Sequence, residues 1–140
     1  MSDNFMPQSE IFFKKASSDL KLARYAHGIE DEELDIEIIF FHLQQAAEKY
    51  LKCLLSHNNV HFTKTHDLER LIAICEENAL ALPAYVSDFV DLNPYAVEGR
   101  YAMLCDDYSD ADRYLNLLEQ FKKYVDELIN PSEIAVERKS

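Results

Sequence analysis

The sequence has few glycines, few basic residues and no long apolar runs, and each shortage excludes a class of protein. Its 140 residues include only two glycines and four prolines, whereas sheet proteins need turn residues between many short strands. No apolar run approaches the ~18 residues that a membrane-spanning helix needs. The first residues, MSDNFMPQSE, lack the basic and apolar regions of a signal peptide. We therefore expect a cytoplasmic protein that does not enter a membrane.

Basic residues are outnumbered by acidic ones, 14 to 26, which gives a net charge of −12. Binding to a polyanion is driven by lysine and arginine, so we expect no non-specific binding to DNA, and any nucleic-acid site must be local. The three cysteines, Cys53, Cys75 and Cys105, lack the spacing of metal ligands. We interpret them as reduced apolar residues and predict neither a metal site nor a cofactor.

The residues that are abundant favour helices. Hydrophobic residues make up 48% of the chain, and none of the apolar segments alternates in the way that a half-buried strand does. The length is enough for one domain with its own core. We predict a single all-α domain over residues 1–140, with flexible tails at 1–8 and 131–140.

The most regular helical pattern runs from Ile36 to Ser56. Apolar residues recur there at helical spacing, at Ile36, Ile39, Phe40, Leu43, Ala47, Tyr50, Leu51 and Leu54. His42, Gln45 and Lys49 fall together on the opposite side, roughly 150° away, with Phe41 and Lys52 beside them. This polar side has three interpretations, namely a solvated face, a dimer interface and a ligand site.

Four other helices are predicted from their start signals and apolar spacing. They are a helix from about residue 10 to His27, capped by Ser9 and ended by Gly28; a helix after Thr63 or Thr65 that carries Leu68, Leu71, Ile72 and Cys75; a short helix, Ala84–Leu92, after Pro83; and a last helix from Ser109 to about Asn130.

Two further places carry candidate ligand-binding residues. His66 lies in the first turn of the third helix, where a bond to a neighbouring helix and a direct ligand contact are both open. The long connection Tyr95–Tyr108 contains Arg100 and Tyr101. An arginine beside tyrosines suits a phosphate and a stacked base, although Arg100 could equally pair with a carboxylate of the protein.

Three stretches of the chain resemble the HEPN domain, the higher eukaryotes and prokaryotes nucleotide-binding family. They are FHLQQAAEKYLKCLL (41–55), KTHDLERLI (64–72) and EGRY (98–101). The resemblance implies an up-and-down bundle of four or five helices, commonly a homodimer, that often works with a minimal nucleotidyltransferase in a toxin-antitoxin pair. His42, Gln45 and Lys49 match the first stretch, His66 the second, and Arg100 and Tyr101 the third.

Several branches of that family are metal-independent ribonucleases with an Arg-x4-6-His motif. None of the arginines of this chain, at 24, 70, 100, 113 and 138, is followed by a histidine at that spacing. The same motif carries the tyrosine that a partner nucleotidyltransferase modifies in some branches. Because the motif is absent here, that modification is not implied for this chain. The resemblance therefore does not imply ribonuclease activity, because the residues that carry it in those branches have no match in this chain.

Three functions remain open after these observations. The first is a nucleotide- or RNA-binding subunit with a nucleotidyltransferase partner, which would bind its ligand through His42, Gln45, Lys49, His66, Arg100 and Tyr101. The second is a ribonuclease whose catalytic groups come from different helices, with His42, His66 and Arg100 as the candidates. The third is a non-catalytic dimeric interaction module, with Phe41 in the seam between the two copies.

Overall fold

The computed structural model describes residues 6–96 and 108–131, and within them it contains only helices and their connections. The α-helices are α1 (Gln8–Ile29), α2 (Ile36–His57), α3 (Leu68–Glu77) and α4 (Tyr108–Ile129), with a 3₁₀ helix, Ala84–Tyr95, between α3 and α4. The all-α prediction is confirmed. None of these helices combines the length and hydropathy that crossing a membrane requires.

Helix α2 lies at the centre of the bundle and packs against α1, α3, α4 and the 3₁₀ helix. The ring of Phe13, near the start of α1, lies 5.6 Å from that of Tyr50, near the end of α2, so α1 and α2 are antiparallel. The ring centroids of Phe40 and Tyr114 lie 6.3 Å apart, and those of Tyr50 and Phe121 lie 6.0 Å apart. Helix α4 therefore runs parallel to α2.

The apolar stripe predicted along α2 forms the middle of the core. Its residues are buried except Ile36, which packs against the core while partly buried. Leu43 and Leu51 have no exposed surface, and truncating such a side chain to alanine costs about 2–5 kcal/mol. The central helix itself extends to His57, one residue beyond the predicted end.

The ends of α1 differ from the prediction. The helix begins at Gln8 after Pro7, with no side-chain cap, so the assignment of Ser9 as N-cap is wrong. It also continues through Gly28, which lies in open space, and the left-handed residue at its end is Glu30, with φ of 49°. A left-handed cap favours glycine but does not require it, which is why Gly28 was misleading.

The start of α3 also differs from the prediction. Asp67, rather than Thr63 or Thr65, is the N-cap, because its Oδ1 accepts a hydrogen bond of 3.0 Å from the backbone N–H of Glu69. The Thr65 hydroxyl supports this turn by accepting a bond of 3.0 Å from the N–H of Asp67. Three candidates for a cap at alternate positions, 63, 65 and 67, made the exact position hard to predict.

The predicted fourth helix is a 3₁₀ helix that continues through Pro94 to Tyr95. Asn93 ties its end to α3, since its Oδ1 accepts a bond of 2.9 Å from the N–H of Leu68 and its Nδ2 donates one of 2.9 Å to Asp67 Oδ1. Such long-range bonds are not visible in a local pattern. They compensate for the poorer geometry of a 3₁₀ helix.

Candidate functional site

Three polar residues of α2 are buried, namely Gln44, Glu48 and Lys52, with 0%, 3% and 9% of their surface exposed. They recur at every fourth position and therefore lie along one side of the helix. The apolar spacing of α2 predicted no role for Gln44 or Glu48. Their signal was the i, i+4, i+8 recurrence of polar side chains at 44, 48 and 52.

Glu48 is the centre of a first hydrogen-bonded cluster. Its Oε2 accepts a bond of 3.0 Å from Lys52 Nζ, and the side chain of Glu48 is only 4% exposed. Its Oε1 accepts bonds from His66 Nδ1 at 3.0 Å and from Gln44 Nε2 at 3.2 Å. A buried carboxylate is tolerated only when it is paired and hydrogen-bonded, and these three partners meet that condition.

His66 is oriented by this cluster although its side chain is 67% exposed. The Gln44 amide also donates a bond of 3.1 Å to the backbone carbonyl of His66, which fixes the chain at that point. Because a carboxylate beside an ammonium group only accepts hydrogen bonds, the imidazole must donate from Nδ1. Its Nε2 is then the atom available to a ligand.

A second cluster, which also combines a carboxylate, an imidazole and an ammonium group, joins α1 to α2. Asp19 of α1 accepts a hydrogen bond of 2.9 Å from His42 Nδ1 and one of 2.6 Å from Lys49 Nζ. The side chains of Asp19, His42 and Lys49 are 14%, 20% and 24% exposed. As with His66, the carboxylate holds the Nδ1 side of the ring and leaves Nε2 for other contacts.

The surface between the two clusters is the polar edge of α2, which consists of Phe41, His42, Gln45 and Lys49. All four are partly buried. Gln45 donates a hydrogen bond of 2.7 Å to Gln44 Oε1, so it extends the Glu48 cluster. The Phe41 ring lies 5.1 Å from the His42 ring, edge to face. The polar edge therefore joins the oriented imidazole of His42, on α2, to the Glu48 cluster, which orients His66. His66 itself lies before the start of α3 at Leu68 and not in the first turn of that helix, as was predicted.

The predicted ligand-binding residues are only partly brought together. His42 and Lys49 meet at Asp19, whereas Gln45 bonds to Gln44 and His66 lies at Glu48 on another side of α2. Arg100 and Tyr101 lie outside the described residues, as do most of the two tails predicted to be flexible. Their relation to the polar edge stays a prediction.

The two lysines are paired with carboxylates, which limits their attraction for a negatively charged ligand. Lys49 and Lys52 each lie against a carboxylate, so each cluster is neutral when its imidazole is neutral and carries +1 when the imidazole is protonated. An ammonium group has three donors, and one of them is used by the carboxylate. Lys49, whose side chain is 24% exposed, therefore suits hydrogen bonding to a ligand more than attraction of a distant polyanion, whereas Lys52 is nearly buried against Glu48.

Two cavities of the described residues lie away from the polar edge. One of about 600 Å³ lies where α1 begins, lined by Pro7, Ser9, Ser56 and Asn59 among others. Another, of about 510 Å³, lies beside the 3₁₀ helix and is lined by buried rings such as Tyr95. No residue of the polar edge lines either cavity.

Thiol and metal chemistry have no support in the described part of the chain. Burial raises the pKa of Cys53 and of Cys75 to about 12, which makes both thiols poor nucleophiles near neutral pH. Across residues 6–96 and 108–131, His, Cys, Asp and Glu side chains form no group of three or more that could hold a metal ion.

Comparisons with known proteins agree with this architecture. The crystal structure of ST0689, an archaeal HEPN homologue, is similar with a TM-score of 0.65, 24% sequence identity, and coverage of 89% of this chain and 100% of that one. That likeness concerns the fold alone. No curated protein matches the chain. A family model described as the HEPN domain matches residues 9–128, and the chain therefore belongs to the HEPN domain family.

Proposed function

We propose that this HEPN domain binds RNA or a nucleotide on the polar edge of α2 and works with a minimal nucleotidyltransferase partner. The observation that supports binding is the pair of carboxylate-oriented imidazoles, His42 on Asp19 and His66 on Glu48. Each ring is fixed in one tautomer, and each leaves Nε2 for a ligand. Such preorganisation lowers the entropy lost when a ligand binds.

The chemistry of the edge suits phosphate and sugar groups. A neutral Nε2 accepts a hydrogen bond from a ribose hydroxyl, and a protonated one donates to a phosphate oxygen. Lys49 adds donors beside the His42 ring, although its charge is matched by Asp19, whereas Lys52 is nearly buried against Glu48. Because little net charge is neutralised, we expect binding to depend only weakly on salt.

The way the side chains of the polar edge converge favours an RNA end or a short single-stranded segment over a free nucleotide. Small-molecule sites usually enclose most of their ligand, and the cavities at the start of α1 and beside the 3₁₀ helix do not include the polar edge. The Asp19 carboxylate holds both His42 Nδ1 and Lys49 Nζ, so these two side chains reach one phosphate or ribose group rather than a whole nucleotide. We therefore favour a short single-stranded segment or an RNA end as the ligand.

Isothermal titration of ATP, GTP and short single-stranded RNAs tests the proposal. We expect RNA binding that is weakened at least tenfold by His42→Ala and by His66→Ala, since each removes an oriented imidazole. His57→Ala is the matched control, because His57 is an exposed histidine at the end of α2. No heat at millimolar ligand, with the protein alone and with a nucleotidyltransferase partner present, would refute binding.

The nucleotidyltransferase partner is supported by membership of the family and by the resemblance of the three sequence stretches. Co-expression with a minimal nucleotidyltransferase from the same genome, followed by affinity purification of that partner, tests it. We expect the two chains to elute together at a fixed stoichiometry. Separate elution of the two folded proteins at micromolar concentration would count against the pair.

A metal-independent ribonuclease is a second candidate, because a histidine oriented by a carboxylate is also the arrangement of a general base. Incubation of the purified protein with mixed RNA in EDTA distinguishes the two functions. Cleavage that is lost in His42→Ala or His66→Ala, but kept in His57→Ala, would favour the enzyme. Intact RNA together with measurable binding would favour the binding module.

A further inference from the structure

The Asp19 cluster, which consists of Asp19, His42 and Lys49, presents a hydrogen-bond acceptor beside hydrogen-bond donors. Both oxygens of its carboxylate are occupied from within the protein, since Oδ1 accepts from His42 Nδ1 at 2.9 Å and Oδ2 accepts from Lys49 Nζ at 2.6 Å. What faces a ligand is then His42 Nε2, an acceptor when the ring is neutral, and the other N–H groups of Lys49, which are donors. Because one carboxylate holds both side chains, the acceptor and the donors lie close together.

This pattern matches the 2′,3′-diol of a ribose better than a phosphate group. Each hydroxyl both donates and accepts, so one hydroxyl donates to His42 Nε2 while its neighbour accepts from Lys49 Nζ. A terminal phosphate, with a second pKa of ~6, only accepts hydrogen bonds once it is doubly ionised, and it leaves a neutral Nε2 without a donor. We propose that the Asp19 cluster binds the 2′,3′-diol at the 3′ end of an RNA. This inference rests on the proposed RNA binding and names the part of the RNA that the cluster takes.

Charge supports the diol for a separate reason. The carboxylate of Asp19 balances the ammonium group of Lys49, so the cluster has no net charge while His42 is neutral. The whole chain carries a net charge of −12, and this opposes the approach of a doubly negative phosphate end. A diol end carries no charge of its own, so it avoids that repulsion.

The partial burial of the Asp19 cluster suits the end of a strand. The side chains of Asp19, His42 and Lys49 are only 14%, 20% and 24% exposed, so a ligand group has to reach inward to contact them. An internal ribose has its 3′ oxygen esterified to the next phosphate, and further chain follows it. The ribose at a 3′ end has both hydroxyls free with nothing beyond them. It therefore fits a recessed site that an internal ribose does not.

His66, on the Glu48 cluster, differs from His42 in both respects. Its side chain is 67% exposed, whereas that of Lys52, the lysine of its cluster, is 11% exposed and lies 3.0 Å from Glu48. His66 Nε2 is thus an accessible acceptor without an accessible lysine beside it. That arrangement suits the single 2′-hydroxyl of an internal ribose. The two histidines then contact different parts of one strand, its end at His42 and its interior at His66.

Phe41 lies where the base of the last nucleotide comes to rest. Its ring centroid is 5.1 Å from that of His42. In a ribose the 2′ carbon is bonded to the carbon that carries the base, so a diol held by His42 brings the base next to the neighbours of that ring. Aromatic side chains stack on every base. We therefore expect recognition of the 3′ end with little preference for the last base.

One RNA sequence prepared with four different 3′ ends tests the assignment on the wild-type protein. Fluorescence anisotropy of a short 5′-labelled single strand compares a diol, a 3′-phosphate, a 2′-deoxy end and a 3′-deoxy end, at pH ~8, above the ordinary imidazole pKa of ~6.5. We expect the diol to bind about tenfold more tightly than each other end, since each leaves a group of the cluster unpaired. Equal affinities overturn the diol assignment and leave the proposed RNA binding standing, whereas no binding of any strand refutes both.

Three variants then connect the preference to the cluster. His42→Ala, checked for its fold by circular dichroism, should bind the diol and the 3′-phosphate strands equally, because the acceptor is gone. His66→Ala should bind both strands more weakly but keep the preference, and His57→Ala, at an exposed position, should keep both affinity and preference. A preference that survives in His42→Ala overturns the proposal.

A free nucleotide is the other source of a ribose diol, and competition with AMP distinguishes it from an RNA end. AMP carries the diol but lacks the rest of the strand, including the internal ribose that His66 is expected to contact. We therefore expect AMP to displace the labelled diol strand only at concentrations at least about tenfold above those of the unlabelled strand. AMP that competes as well as the strand overturns the assignment to an RNA end.

Discussion

Replacing Glu48 by alanine should destabilise the fold by about 3–5 kcal/mol, the range for removing one partner of a buried ion pair. The Glu48 side chain is 4% exposed and that of Lys52 11%, so the substitution leaves an ammonium group nearly buried without its carboxylate. It also removes the acceptor of Gln44 and of the His66 ring. Part of the cost is recovered if the flexible Lys52 side chain reaches water, which places the expected value at the lower end.

Urea unfolding at neutral pH, followed by circular dichroism, measures this cost against a matched ion pair. Arg24 and Glu119 form a bond of 2.9 Å between side chains that are 46% and 41% exposed. Exposed pairs contribute about 0–1 kcal/mol, so Glu119→Ala should change the free energy of unfolding by no more than that. The two carboxylates differ in burial while both lie beside a cation.

A third variant separates the burial of charge from the loss of packing. Glu48→Met/Lys52→Met fills similar volume with apolar atoms, and such replacements of buried pairs are often neutral or stabilising. We expect the double variant to be clearly more stable than Glu48→Ala. If Glu48→Ala costs no more than Glu119→Ala, the reasoning from burial is refuted.

Three further predictions concern the buried thiols, the buried hydroxyl of Tyr50 and the hydrogen bonds of Asn93. Burial raises the pKa of Cys53 and of Cys75 to about 12. In a Cys105→Ser variant, these two thiols should therefore not react with a disulfide reagent at pH ~8 until urea unfolds the chain. Rapid labelling of the native protein would contradict this. Burial also raises the pKa of Tyr50, so the folded state keeps a proton that the unfolded chain releases above the ordinary tyrosine pKa of ~10. The urea midpoint should therefore fall as pH rises above ~10, and a constant midpoint would contradict this. Asn93→Ala loses two hydrogen bonds to the start of α3 and should cost about 1–2 kcal/mol in urea unfolding; an unchanged midpoint would show that these bonds do not stabilise α3.

The parts of the fold that follow from local periodicity could be predicted from the sequence. The apolar spacing of α2 gave its start at Ile36 and its end to within one residue of His57, because burial of one helical face depends on neighbours three and four positions away. The start at Ala84 was also predicted from Pro83, although the element is a 3₁₀ helix. The difference between 3₁₀ and α helix depends on tertiary bonds such as those of Asn93.

The candidate site was harder to predict, because its bonds join residues that are distant in sequence. His42 and Lys49 were recognised on one face of α2, but the carboxylate that joins them is Asp19, on another helix. No local pattern relates positions 19 and 42. The burial of Glu48 was hard to predict for a second reason, since a glutamate in a helix is usually solvated.

The two clusters fix the register of the neighbouring helices, which apolar packing alone does not. Leucine and alanine surfaces tolerate sliding, but Asp19 is held between His42 and Lys49, two turns apart on one side of α2. Moving α1 by one turn, about 5.4 Å, would separate Asp19 from these partners and leave partly buried charge unpaired. Glu48 constrains the start of α3 through His66 in the same way. Because the carboxylates that set the register also orient the imidazoles, the positions of the His42 and His66 Nε2 atoms are determined by the contacts that determine the fold.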